Sequence, residues 1–394
     1  MNPLSSYLSR TEKLYENSSL GYIYEFNATV LDCIKVEDAF AIELDRTAFF
    51  PEGGGQSADE GELGGLQVKD VRIKDGKILH FVNDSLRIGS IVRGKVYEEI
   101  RFPRMQNHSG EHIVSGLLHS LYGIENVGFH MSRNEMTVDT SSPLTSEMIK
   151  IIEIEANRAV WANKEIVCLY PEKSELATME YRSKVELAGD VRIVEIDGID
   201  KCACCAPHVR RTGEIGAIHI KSHIKYKKGT RLTLVCGEWA VNDHFTLTET
   251  VDKLSRALSA PTEEIYDAFM KKEALLSEKL GEIRALKEKL LSIRLSSLSP
   301  TEKSICIFED GCDSGLLRKL VNDGLHLTSG LFAAFSSRET GGYTYVIGAK
   351  EGDLSSLAKD MSASLGGRGG GKGPMITGFV ESNEEKIKEY FENI

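Results

Sequence analysis

The sequence predicts an α+β chain built from several units, and three observations carry that prediction. Short apolar stretches alternate with turn residues through the first hundred positions. Helical and strand-like spacings then intermix from Phe102 to about Gly237, and from about Val241 to Ser299 the spacing is helical alone. A chain of 394 residues has room for roughly two to four domains, each burying its own core.

In the first stretch YIYEFNATVLDCIKV, FAIELDRTAFF, LQVKDVRI and KILHFV read as strands, and NDSLRIGSIVRGKVY adds another after a turn. Strands this closely spaced predict a small β-barrel or sandwich over residues 1–100. PEGGGQ lies inside it, a loop too rich in glycine for a strand interior. HIVSGLLHSLYG then places apolar residues at helical spacing with Gly123 as its stop, and SEMIKIIEIEANRAVWANK is a second amphipathic helix. The strand-like EIVCLYP, VRIVEIDG, AIHIKSHIKY and RLTLVCG complete an α/β unit over residues 101–240.

Residues 241–300 predict a long helix or helical hairpin linking two domains. Val251, Leu258 and Ile265 stand seven apart, as do Phe269, Leu276, Ile283 and Leu290, and Leu254 and Leu280 widen the stripe. Ala260-Pro261-Thr262 ends one helix and starts the next, with Glu263 and Glu264 in its first turn. Lys287 in the seam weakens a coiled-coil reading, so self-association through these helices is a secondary expectation. Residues 301–394 mix the strand patterns SICIF, LFAAFSS and YTYVIGAK with helix patterns such as GLLRKLVND and EEKIKEYFENI, and predict a small α/β domain around the loop GGRGGGKG.

Composition narrows the function classes. The chain is 41% apolar and 27% charged, as in ordinary globular proteins. No apolar run nears the ~20 residues that cross a bilayer, and the polar N-terminus lacks the order of a signal peptide; a cytoplasmic location is the expectation. Of eight cysteines, Cys202, Cys204 and Cys205 crowd one loop, which in a reducing compartment reads as metal or redox chemistry. The others, Cys33, Cys168, Cys236, Cys306 and Cys312, are scattered and read as small core fillers. A net charge of −11 argues against a protein that coats nucleic acid with its whole surface. Local basic patches remain, one at Lys221, Lys225, Lys227, Lys228 and Arg231, the other at Arg368 and Lys372; each is either a phosphate contact or a solvated face.

The chemistry concentrates in two short motifs. In QNHSGEHIVSG, His108 and His112 stand four apart, so on a helix both imidazoles reach one ion. CACCAPHVRRTGEIG supplies Cys204 and His208 at the same spacing. Nitrogen and sulfur ligands together favour zinc. Four protein ligands also describe a purely structural zinc, and the spare thiols of Cys202 and Cys205 leave the cysteine ligand open. A competing reading takes His108-Ser-Gly-Glu111-His112 as the H-x-x-E-H of inverted zinc peptidases, with Glu111 as base and an acidic third ligand such as Glu186. That reading leaves Cys204, His208 and PEGGGQ without a role.

RTAFFPEGGGQSADEGELG, RMQNHSGEHIVSG, CCAPHVRRTGEIG and KKGTRLTLVCG, in that order, resemble the editing domain of alanyl-tRNA synthetase and its free-standing relatives, the AlaX family. SLGGRGGGKGPMITG resembles the C-terminal domain of the same synthetase, shared with the DHH phosphoesterases. With only about a hundred residues ahead of the histidine motif, no aminoacylation core is expected, and the long form of the family is the match. The resemblance implies one zinc held by His108, His112, Cys204 and His208, and an amino-acid pocket lined by Thr47 and Gln56. It further implies a deacylase that removes serine or glycine from alanine tRNA, meeting the acceptor end here and the tRNA elbow through the C-terminal domain. Consecutive Gly53, Gly54 and Gly55 allow close backbone approach to the ester or the terminal nucleotide, or simply make a tight turn. Glu111 is a candidate proton carrier. Thr47 offers a hydroxyl that can tell serine from alanine.

Two departures stand out, one of them in the helix motif, where Ser109-Gly110-Glu111 stands between the histidines and Glu111 reads equally as a partner behind the ligands, a proton carrier or a solvent-facing group. The family's Cys-Gly-Gly-Thr-His is here Cys204-Cys205-Ala206-Pro207-His208, with less backbone freedom. The glycine loop nearly matches a P-loop from Gly366 to Lys372, but Gly373 stands where Ser or Thr would hold magnesium. RNA contact through Arg368 and Lys372 is the better reading. A homodimer through the helical linker or the C-terminal domain is compatible with it.

Overall fold

A computed structural model describes residues 11–16, 22–183 and 191–394. The chain divides into two compact units, Met1–Lys253 and Leu254–Ile394.

The first unit opens with a seven-stranded antiparallel sheet. Its organiser is the long strand Glu25–Val36. Residues 25–29 of it pair with 91–95, and after a register shift between Val30 and Asp32 the remainder pairs with Ala39–Leu44. Such an irregularity sharpens twist and lets a sheet curl. The edge strands Leu66–Val68 and Asp70–Lys74 are consecutive in the chain, joined through Lys69, whose N–H bonds Phe81 O at 3.0 Å. The sheet is thus nearly closed, as the barrel pattern predicts. Phe26, Val30, Ile42, Leu44, Phe49, Val71, Ile78 and Val82 fill it.

Helix α1, Glu98–Tyr122, follows directly, starting well before the apolar spacing that begins at His112. Its middle turns bury Gln106, Asn107, His108, Ser109, Glu111, His112 and Ser115, an unusual load of polar groups that must find partners. One is met by a strand end and one by a 3-10 turn: Asn107 Oδ1 accepts the Cys236 N–H at 2.7 Å, and Gln106 Nε2 donates to Glu214 O, in the turn Thr212–Ile215, at 2.9 Å. Helix α2, Ser146–Trp161, is capped by the Thr145 hydroxyl accepting the Met148 N–H. It packs with α1 against a four-stranded antiparallel sheet ordered 126–131, 136–140, 229–236, 218–226. A second sheet joins Ile166–Leu169, Ile193–Ile196 and Asp200–Ala203; the short helix α3, Lys173–Leu176, follows the first of these strands. The basic stretch forms the hairpin Ile218–Tyr226 and Gly229–Cys236. There Arg231 is clamped by Asp139 at 2.6 and 2.7 Å and Lys221 by Asp243 at 2.8 Å, while Lys225, Lys227 and Lys228 are exposed.

Helix α4, Glu238–Leu258, contains the boundary between the units. It stops where Pro261 predicts, and helix α5 runs from Ile265 to Ser296. Only Leu291 and Leu295 of α5 are buried; Phe269, Leu276, Ile283 and Leu290 are exposed. The second unit is a five-stranded sheet ordered 305–308, 332–337, 343–348, 375–380, 368–370, parallel in its first pair and antiparallel elsewhere. Helix α6, Ser314–Gly324, packs on one cluster with the end of α5. Helices α7, Ser355–Leu365, and α8, Glu384–Glu392, build the other. Among the described residues no helix is long and apolar enough to cross a membrane.

Candidate metal centre

The centre begins on α1, where the spacing of four puts His108 and His112 on one face, both buried. The second pair comes from the loop after strand Asp200–Ala203. Arg192, itself buried, grips that loop by its backbone, donating to Cys204 O at 2.8 Å and Ala206 O at 2.9 Å. Ala206 and Pro207 leave the backbone little freedom, and these two bonds hold what remains. The ligand atoms of His108, His112, Cys204 and His208 all lie within 4.8 Å of one another.

Each imidazole is turned by a bond from its far nitrogen. His108 Nδ1 lies 2.7 Å from Gln56 Oε1, His112 Nδ1 lies 2.8 Å from Asp200 Oδ2, and His208 Nδ1 lies 3.0 Å from Ser109 Oγ. Amide and carboxylate oxygens only accept, so His108 and His112 carry their protons on Nδ1 and offer Nε2 as a lone pair. His108 Nε2 and His208 Nε2 lie 3.5 and 3.4 Å from Cys204 Sγ. Tetrahedral zinc, with Zn–S about 2.3 Å and Zn–N about 2.0 Å, separates sulfur from nitrogen by about 3.5 Å. The donor set therefore fits that ion in chemistry and in spacing.

Electrostatics agree. Burial alone would raise the Cys204 thiol, but the imidazoles of His108 and His208 hold it well below the ordinary thiol range. Burial pushes His208 down to about 3, against the pull of the Cys204 sulfur beside it. A second set, His112, Asp200 and Cys202, also lies within 4.8 Å. It is no separate metal site, because Arg182 occupies both Asp200 oxygens at 2.7 and 3.0 Å.

The centre forms one wall of a cavity of about 390 Å³, whose other walls include Tyr15, Phe50, Phe129, Arg192 and Cys205. Glu111 reaches this cavity too. Its Oε1 accepts from Ser115 Oγ at 2.6 Å and from Asn126 Nδ2, and its Oε2 lies 4.0 Å from His112 Nε2. Gly54 and Gly55, at φ 59° and 84°, make a two-residue hairpin closed by the Gly53–Gln56 backbone pair. Gly53 and Gly54 line the cavity. Gly55 instead faces strand 126–131, where a Cβ would sit 2.5 Å from Phe129 O.

Other sequence-predicted residues stand further back. Gln56 is buried, with its amide nitrogen without a partner among the described residues. Thr47 is fully buried behind the cavity wall; its hydroxyl lies 2.8 Å from His80 Nε2 and accepts the Phe49 N–H at 3.1 Å. His80 Nδ1 bonds Ile42 O at 3.0 Å, and burial lowers its pKa to about 4, so the neutral ring takes its proton on Nδ1 and accepts the Thr47 proton on Nε2. Glu186, the acid the peptidase reading would need, lies outside the described residues.

Arg368 and Lys372 belong to the second unit, both exposed. The glycine loop leaves the end of α7 and enters the edge strand Arg368–Gly370. A P-loop runs the other way, from a strand to a helix N-terminus, so the near match in sequence is not one in geometry.

Residues 191–232, which include Cys204 and His208, match the family model described as the threonyl and alanyl tRNA synthetase second additional domain. The AlaX-L alanyl-tRNA editing protein of Pyrococcus horikoshii is 26% identical over 93% of this chain and 94% of its own length. The alanyl-tRNA editing protein Aarsd1 of Danio rerio is 25% identical over 92% of each chain. An alanine–tRNA ligase of Methanoregula boonei is 30% identical over 95% of this chain, which spans only 42% of that ligase. The chain likewise spans 43% of the alanine–tRNA ligase of Methanococcus vannielii. The solved C-Ala domain of Aquifex aeolicus alanyl-tRNA synthetase covers 24% of this chain at 17% identity and a TM-score of 0.21, too low to argue from. Matched along nearly its whole length by free-standing proteins of one kind, the chain is a relative of the long-form AlaX alanyl-tRNA editing proteins.

Proposed function

We propose that this chain is a trans-editing hydrolase that removes serine or glycine from mischarged alanine tRNA, using one zinc ion per chain. The carrying observation is the convergence of three imidazole nitrogens and the Cys204 thiol, with His108, His112 and Cys204 lining a cavity shared with the Gly53-Gly54 turn. The names of the two full-length relatives support the choice of substrate.

Bound zinc supplies Lewis-acid polarisation of an ester carbonyl or of water. The chain's own groups do the rest. Water's oxygen must join the ester carbon, and its proton must reach the ribose hydroxyl as the ester C–O bond breaks. Glu111, on the cavity wall and oriented by Ser115 and Asn126, is placed to carry that proton. The Gly53-Gly54 backbone can approach the terminal nucleotide without a side chain in the way, and Phe50 and Phe129 give it apolar walls. Thr47, buried with its hydroxyl engaged by His80 and the Phe49 N–H, would act on a serine side chain through the shape of the wall in front of it.

The same reading assigns residues 1–100 to a barrel, 101–240 to the editing core, 241–300 to a helical linker that pairs two copies, and 301–394 to a domain that holds the tRNA elbow through Arg368 and Lys372. Its workplace is the cytoplasm. The rival is a zinc tRNA-binding module without catalysis, favoured by the completeness of the four-ligand set.

Deacylation of Ser-, Gly- and Ala-charged alanine tRNA decides between them. Wild type releases serine or glycine and spares alanine, His108→Ala and Cys204→Ala lose release by on the order of a thousandfold, and Thr47→Val narrows the serine-over-alanine ratio. No release by zinc-replete wild type that still binds tRNA leaves the rival standing.

A further inference from the structure

The three histidines are not held alike. His108 leans on a neutral amide and His208 on a neutral hydroxyl, whereas His112 donates to a carboxylate. That carboxylate is buried and fully engaged. Arg182 Nε meets Asp200 Oδ1 at 2.7 Å, and Arg182 Nη2 meets Oδ2, the oxygen that also takes the His112 proton, at 3.0 Å. Arg182 is in turn fixed by backbone to the strand that carries Asp200, through bonds to Lys201 O at 2.8 Å and from the Ala203 N–H at 3.0 Å. On the other side the strand presses on α1 at Gly116, where a Cβ would stand 2.4 Å from Ile199 O and 2.8 Å from the Asp200 Cβ. Bonds to an ionised acceptor are shorter and roughly twice as strong as neutral ones. An imidazole donating to a carboxylate is also a more basic ligand at its other nitrogen.

We infer that Asp200, clamped by Arg182, is a positioning residue that makes His112 the most firmly held ligand of the metal set. Asp200 touches neither substrate nor ion; it acts through the ring of His112. Cys202 lies beside this arrangement, its sulfur within 4.8 Å of the His112 and Asp200 ligand atoms. The inference rests on the zinc reading of the centre and not on editing.

The test is zinc affinity of the full chain, by competition with a chromophoric chelator, together with the absorption spectrum of the cobalt-substituted protein. Asp200→Asn weakens zinc by about ten- to a hundredfold, and changes the cobalt spectrum; Ser109→Ala, which removes the neutral partner of His208, weakens it less. Arg182→Met/Asp200→Asn, which leaves no orphaned guanidinium, repeats the loss and keeps the test alive if the single variant folds poorly. Wild-type affinity and an unchanged cobalt spectrum in both Asp200 variants overturn the inference, as does a larger loss in Ser109→Ala. Failure of wild type to bind zinc at all overturns the metal reading itself, before any variant is made.

Discussion

Helices α1 and α5 break the same rule in opposite directions. A helix is expected to bury apolar side chains and expose polar ones, yet α1 buries His108 and His112 among seven further polar residues, and α5 exposes Phe269, Leu276, Ile283, Leu290 and Ile293. Within the first unit most of the buried polar groups of α1 are answered by named partners, and the ligand nitrogens converge on one another. Within the second unit α5 is anchored only near its end, by Leu291 and Leu295. The comparison teaches that a departure from amphipathicity points outward: the buried donors of one helix suit an ion, and the bare stripe of the other suits an apolar partner.

Stripping the metal should separate the two most sharply. With zinc at a thousandfold over its dissociation constant the first unit gains about 4 kcal/mol, on the order of 10 °C in its melting temperature. Chelation should remove that gain from the first unit and leave the transition of the second unmoved, as calorimetry would report; a uniform shift of both would break the comparison.

Acid should act on the same side. Burial holds His80 at about 4 against about 6.5 when unfolded, so between those values the unfolded chain binds more protons. The stability this neutral ring preserves is whole above pH 6.5 and falls by about 3 kcal/mol as pH drops to 4. Urea unfolding across that range should show a loss in the barrel that His80→Gln flattens. The second unit, whose one histidine, His326, is exposed, serves as the control.

The smallest effect concerns α5. If a second copy covers its stripe, Leu276→Lys/Ile283→Lys weakens dimerisation by on the order of a hundredfold in sedimentation, with deacylation per chain intact. A wild type that stays monomeric at every concentration would give that face a different occupant.

The cluster of His108, His112, Cys204 and His208 was legible because the fold keeps each pair on a single turn or loop, four residues apart in both cases. The strands of the barrel were legible from alternation, and the break at Pro261 from its missing N–H. What surrounds the ligands was not. Asp200 stands 88 residues from His112 and Gln56 stands 52 from His108, and no local periodicity links such positions. The change to helix was read at Phe102, four residues inside the observed start at Glu98; the buried face there is polar, so apolar spacing becomes regular only from His112. At the glycine loop Gly373 already spoke against a P-loop, and the order of elements, helix before strand, gives a second ground that sequence could not supply.

The pair Asp59 and Arg101, both wholly buried, joins the two layers that share the cavity. Asp59 accepts the Phe50 N–H beside the glycine turn, while Arg101 extends from α1 and also donates to Ala48 O. Parting a buried ion pair costs about 3–5 kcal/mol, a large share of what keeps a domain folded. The pocket therefore cannot loosen while the rest of the unit stays intact. A substitution at either partner should unfold the unit instead of leaving a folded chain with a slack cavity.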